Sequence, residues 1–91
     1  MTTVACIGEC MIELKQAANG LYSRGFGGDT LNTAVYLARL GVATDYVTAL
    51  GDDAMSDEML AGWAAESIGT GRVQRLRGKL PGLYMIQTDA N

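Results

Sequence analysis

The sequence predicts an α/β fold with parallel core strands and crossover helices. Three observations carry this expectation. A short continuous apolar run opens the chain at Val4-Ala-Cys-Ile7, a glycine turn leads into a helix-period stretch ending at Gly41, and a second apolar run follows at Tyr46-Val-Thr-Ala-Leu50. Continuous apolar runs of this length suit strands covered on both faces, and an intervening helix is the usual link between parallel neighbours.

Gly8 stops the first run, which is expected in the middle of the sheet. Residues 10–14 and 21–26 form two further short runs around Asn19-Gly20, a dipeptide suited to the positive φ angles of a tight hairpin. At Asp29 or Thr30 a side-chain oxygen is expected to cap the next helix by accepting an N–H bond from its first turn. Leu31, Ala34, Val35 and Ala38, with Leu37 and Leu40 beside them, give that helix a wide apolar stripe. Arg39 complements the negative end, and Gly41 suits the residue just past it. Gly51-Asp-Asp53 introduces a second helix with Met55, Met59, Leu60 and Trp63 on one face, a stripe read as core packing, and Gly69 beyond its end. Strand-like runs at residues 73–76 and 83–88 flank Gly78-Lys-Leu-Pro-Gly82. Arg72, Arg75, Arg77 and Lys79 gather four of the seven basic residues there, and a solvated strand face accounts for them better than an anion site.

Composition narrows the function classes. A chain of 91 residues at 48% hydrophobic is one globular unit or part of one. The formal charge of -3 argues against nucleic acid or an anionic membrane as the main partner, because Lys and Arg dominate such binding. No apolar run reaches the roughly 18 residues of a spanning helix, and no charged leader with a long apolar run opens the chain, so a cytoplasmic location is expected. Cys6 and Cys10 are the two cysteines and histidine is absent. Such a set does not make a zinc site, so no metal ligand is assigned and both thiols are expected to be reduced.

The most informative stretch is Gly25-Phe-Gly-Gly-Asp-Thr-Leu-Asn32. Its glycines allow close backbone approach, and the new helix presents free N–H groups over the turn. A dinucleotide fingerprint would need glycine where Thr30 stands, and no Gly-Lys-Ser or Gly-Lys-Thr phosphate loop occurs, so both nucleotide readings fail. Asp29 separates the remaining ligands, because a carboxylate accepts hydrogen bonds from hydroxyls and repels a phosphate at the same distance. Asn32, about one turn on, adds two amide donors and an acceptor toward the space of Gly28 and Asp29. These groups suit a polyol, while the same spacing reads at least as readily as a tight turn followed by a capping aspartate.

The run from Gly27 to Gly41, Gly-Gly-Asp-Thr-Leu-Asn-Thr-Ala-Val-Tyr-Leu-Ala-Arg-Leu-Gly, resembles the N-terminal signature of the ribokinase-like (PfkB) carbohydrate kinases. Ile7-Gly-Glu-Cys-Met-Ile-Glu-Leu14 is similar to that family's first strand and its exit, Leu50-Gly-Asp-Asp53 to its second-strand exit, and Leu80-Pro-Gly-Leu-Tyr-Met-Ile86 to a lid strand. Taken together, these motifs look most like the branch that phosphorylates the sugar acid 2-keto-3-deoxygluconate. Fructokinase-like and ribokinase-like members, which act on neutral sugars, are the alternative.

The resemblance implies that residues 1–91 are the N-terminal part of a single ribokinase-like kinase domain, with β-lid segments at about 10–26 and 80–88. It implies a small-molecule sugar acid as substrate, and ATP with Mg²⁺ in the complete enzyme. Gly28, Asp29, Thr30, Asn32 and Tyr84 match the family's substrate-binding positions, Tyr84 as an aromatic lid residue that contacts the sugar acid. Glu13 stands where many relatives place a sugar-binding aspartate. Its carboxylate reaches about one methylene further and would repel a carboxylate-bearing substrate, so it is not among the candidates. The family's anion hole, catalytic aspartate and nucleotide site belong to a C-terminal part. This chain alone is therefore expected to lack catalytic residues and cofactor, and to be inactive. A non-catalytic binding module is the reading from another class. Open lid-strand edges would suit a homo-oligomer, and the Leu31 and Trp63 faces are expected to be partly uncovered.

Overall fold

The computed structural model describes residues 2–88, and its elements follow the predicted order. β1 (Val4–Ile7) lies parallel to β4 (Thr44–Val47), with Cys6 opposite Tyr46. Between them come the hairpin of β2 (Met11–Gln16) and β3 (Tyr22–Gly27) and the helix α1 (Asp29–Arg39). β5 (Ala49–Gly51) is followed by α2 (Ala54–Ala65) and pairs in parallel with β6 (Gln74–Leu76). β7 (Leu83–Ile86) adds to the far side of β2, also in parallel, so that a separate three-stranded sheet runs β3-β2-β7.

Local sequence explains most of the boundaries. Asn19 and Gly20 take φ values of 63° and 73°, and the Ala17 N–H donates to the Leu21 carbonyl at 2.8 Å, closing the hairpin at the expected dipeptide. α1 ends as predicted at Gly41, whose φ is 84°, with the Val42 N–H reaching back to the Leu37 carbonyl at 3.0 Å. α2 begins at Asp53, whose carboxylate accepts from the N–H groups of Met55 and Ser56. It ends in the same wrapped form, with Ser67 at φ 63° in the position glycine usually holds and the Ile68 N–H on the Trp63 carbonyl.

The core lies where the two helices meet β1 and β4. Leu31 and Ala34 from α1, Met59 and Trp63 from α2, and Cys6, Tyr46, Leu50 and Ile68 are all buried. The Met and Trp stripe is therefore packing, as expected. The Tyr46 and Trp63 rings meet edge to face, 5.0 Å between centroids, an arrangement typically worth about 0.5–1.5 kcal/mol beyond the area buried.

Several expectations need correction. The run 46–50 is not one strand. Gly8 ends β1, so β4 loses its neighbour after Val47, and the chain then pairs on its other side with β6. β1 is not central among the described residues: it pairs with β4 alone, and Ile7 is 70% exposed. The Leu31 and Trp63 faces are covered, at 5% and 3% exposure, and the apolar side chains left open lie elsewhere, among them Ile7, Leu21, Tyr36, Leu40, Leu80 and Leu83. Leu40 falls outside the stripe because it follows the last helical residue. The last strand stops at Ile86 rather than Thr88. Of the basic cluster, Arg75 bonds Asp57 and the Gly51 carbonyl, and Arg72 sits 3.8 Å from Asp45. They hold the surface around exposed β6 together.

Candidate functional site

The glycine turn is built from below. Gly28 is the residue before α1, and a Cβ on it would stand 2.5 Å from the Glu9 backbone carbonyl oxygen. No side chain could enter that gap without moving the backbone. Under the turn, Cys10 is 1% exposed, and burial pushes its thiol up to about 11 against the opposing pull of Trp63 and the Gly27 backbone.

The predicted cap is not there. Gly28 itself precedes the helix, no side chain caps the first turn, and Asp29 is the first helical residue. Thr30 cannot cap because its hydroxyl shares a 2.8 Å hydrogen bond with the Tyr46 phenol, deep between helix and strand. The Asp29 carboxylate is exposed and makes no hydrogen bond among the described residues, and the same holds for the Asn32 amide, three residues on. The backbone of Asn32 is committed, its N–H donating to the Gly28 carbonyl at 2.9 Å. An acidic group in the first turn is favoured by the helix dipole, and among the described residues the Asp29 side chain is left free at the start of α1.

The three-stranded sheet brings a second polar group to this place. Strand register sets Glu13 level with Gly25 on one side and Tyr84 on the other. The Tyr84 phenol donates to Glu13 Oε1 at 2.5 Å. Gly27 provides the room: a Cβ there would lie 2.5 Å from the phenol oxygen and 3.3 Å from Glu13 Oε1. Acceptance by Glu13, then burial, raises the phenol from 10.0 to about 12, and the charges of Glu13, Cys10 and Asp29 act in the same sense. Gly27 stands one residue before Gly28, so the phenol lies close to the start of the helix.

Of the predicted residues, the structure thus gathers Gly28, Asp29 and Asn32 at the helix start, with Tyr84 across from them on β7. Thr30 is present in the same turn with its side chain turned inward. Sequence reasoning set Glu13 aside, read Gly27 only as one of the turn's glycines and read Tyr46 only as part of a core strand. The one available signal was Glu13 alternating with apolar Ile12 and Leu14, which marks it for the opposite face of its strand. Its partner depended on a register that no local pattern reveals. The described residues contain no group of three His, Cys, Asp or Glu side chains arranged for a metal.

This architecture, a parallel α/β unit with a small separate three-stranded sheet, is that of the ribokinase-like kinases. A fructokinase of Xylella fastidiosa, solved with bound ATP, superimposes with a TM-score of 0.88 at 29% identity, over 98% of this chain and 28% of the fructokinase. The pfkB family carbohydrate kinase profile matches residues 1–91, and the chain belongs to that family. The 2-dehydro-3-deoxygluconokinase of Dickeya dadantii is 57% identical over 96 residues, covering 99% of this chain and 31% of the relative. That of Escherichia coli K12 is 50% identical over 91 residues, covering 96% and 29%. The chain therefore spans about a third of the length of these curated relatives.

Proposed function

We propose that this chain is the substrate-binding portion of an ATP-dependent kinase for 2-keto-3-deoxygluconate, the sugar acid also called 2-dehydro-3-deoxygluconate. The observation that carries the reading is the pair of exposed polar side chains, Asp29 and Asn32, at a helix start that no side chain caps, with the Glu13–Tyr84 pair against neighbouring Gly27. With no capping bond to account for it, the unpaired Asp29 carboxylate is free to accept from a ligand hydroxyl while still suiting the helix dipole. The names of the two 2-dehydro-3-deoxygluconokinase relatives support the sugar acid in particular.

In this reading Asp29 accepts from a substrate hydroxyl, Asn32 donates and accepts beside it, and the backbone of Gly28 and Thr30 meets the sugar at close range. Residues 10–26 and 80–88 act as a lid on the sugar, and Tyr84 contacts it from there. ATP supplies the phosphoryl group when bound. Arg24, Arg39, Arg72 and Arg75 are each engaged in ion pairs. The nucleotide, Mg²⁺ and the group that activates the hydroxyl are assigned to the remainder of a protein of the relatives' length. A cytoplasmic enzyme that self-associates through exposed lid-strand edges completes the picture.

A fructokinase-like activity on a neutral sugar is the second reading, favoured by Glu13, whose charge opposes a carboxylate nearby. Turnover of ATP by the intact natural protein with 2-keto-3-deoxygluconate, fructose and ribose decides between them. Preference for the sugar acid is expected, and equal or reversed preference would reject it.

A further inference from the structure

The Glu13–Tyr84 contact has a chemical consequence for what the sheet can recognise. A phenol carries one proton, and here that proton is given to Glu13 Oε1 at 2.5 Å. The ring oxygen keeps its lone pairs, and Glu13 keeps its second oxygen, which lies 3.7 Å from the position of a Cβ on Gly25. Gly25 and Gly27 bring no side chain into the space the two groups occupy, so the phenol and the carboxylate sit together on a floor of bare backbone. A carboxylate or phosphate, itself an acceptor, finds no donor in this pair.

We infer that Glu13 is a positioning residue that fixes the orientation and the proton of Tyr84, so that Tyr84 meets the substrate as a hydrogen-bond acceptor for a hydroxyl and not as a donor to its carboxylate. This rests on the sugar-kinase reading and adds an orientation to it: the hydroxyl-bearing part of the sugar acid lies against β2 and β7, and the carboxylate points away from them. The charge that argued against Glu13 as a ligand then has a use. It makes the lid face reject the acidic end of the substrate and so selects one of two ways of placing an elongated molecule.

The test uses the intact natural protein as wild type, Glu13→Ala, Glu13→Gln, Tyr84→Phe and the Glu13→Ala/Tyr84→Phe double variant. Tyrosinate absorbance of wild type minus Tyr84→Phe isolates the Tyr84 phenol, which should ionise near pH 12 and move down toward 10 in Glu13→Ala. Ionisation near 10 in the wild type would overturn the pairing, whatever the enzyme's substrate. In kinetics, Glu13→Ala and Tyr84→Phe should each raise KM about tenfold with kcat nearly unchanged, and the double variant should be no worse than either, because both remove one bond. Glu13→Gln, which still presents an oxygen to the phenol, should restore KM to within about threefold of wild type. A KM for the sugar acid that falls in Glu13→Ala or Glu13→Gln would mean that Glu13 faces the carboxylate directly, and would overturn the proposal. If the wild type ignores the sugar acid, the functional reading fails. The titration still decides the pairing, and KM is then read with the sugar that is phosphorylated, since the hydroxyl contact is common to both.

Discussion

The Thr30 hydroxyl lies 2.8 Å from the Tyr46 phenol, joining the start of α1 to a strand residue with no exposure to solvent. Burial raises the Tyr46 phenol while the Thr30 hydroxyl opposes that rise. A Cβ on Gly8 would run into the Thr30 side chain. The turn is therefore aimed from underneath by a polar contact inside an apolar core. Thr30→Val keeps the shape and removes the bond, leaving a buried phenol unpaired, and should cost about 1–3 kcal/mol. The urea midpoint measures this, and an unchanged midpoint would count against Thr30 as an anchor.

Asp29→Asn separates a cap from a ligand. A capping carboxylate would take stability with it, whereas Asp29 bonds no backbone N–H and interacts with the helix only through its dipole. The expected loss is below about 1 kcal/mol, together with a large loss of sugar binding by calorimetry. Asn32→Ala should behave likewise and leave nucleotide binding unchanged.

Gly27→Ala tests the space that the sheet leaves for its polar pair. The new methyl would meet the tip of Tyr84 rather than backbone, so the phenol swings aside and the fold loses little. Affinity for the sugar should fall by more than the thermal midpoint suggests. A variant that binds normally would show that Tyr84 and Glu13 need not touch.

The pH dependence of stability has a definite sign. Tyr84 ionises at about 12 in the fold against 10.0 ordinarily, so the fold favours the neutral phenol. Its contribution is present in full below pH 10 and is lost as pH rises from there through 12. Glu13, Cys10 and Asp29 all act on this phenol, and Cys10 itself ionises in the same window, at about 11. The comparison is therefore wild type against Tyr84→Phe: the difference in urea midpoint should be constant from neutral pH to about 10 and vanish near 12.

Cys6 and Cys10 are free and buried, and a thiol ionising near 11 is almost wholly protonated at neutral pH. Alkylation by iodoacetamide should therefore wait on opening of the fold and be complete after denaturation. Rapid labelling of the native protein would place Cys10 nearer the surface than the structure does.

Much of this was legible in the sequence because it rests on local rules. Asn19-Gly20, Gly41 and Asp53 act through their own backbone preferences, and the stripes of Leu31, Ala34, Met59 and Trp63 follow helical spacing whatever lies opposite. The misreadings share a different cause. Whether Asp29 caps depends on how the chain enters the helix, and at that entry Gly28 packs against the backbone of Glu9, 19 residues earlier. Thr30 turned inward because Tyr46 offered a partner, and Glu13 found Tyr84 through a strand register. Each of these is a contact between segments far apart in sequence, where propensity and period carry no information.

The parallel pairing of β2 with β7 gives the site an order of assembly. Glu13 and Tyr84 are 71 residues apart, whereas the hairpin of β2 and β3 closes through a turn of a few residues. Distant pairings pay their loop-closure cost before they gain contacts, so they form late. In refolding followed by pulsed hydrogen exchange, the amides of β7 are expected to gain protection after those of α1 and the hairpin, and simultaneous protection would refute this. A nascent chain stopped short of residue 83 would carry Gly28, Asp29 and Asn32 and still have no sheet edge holding Tyr84.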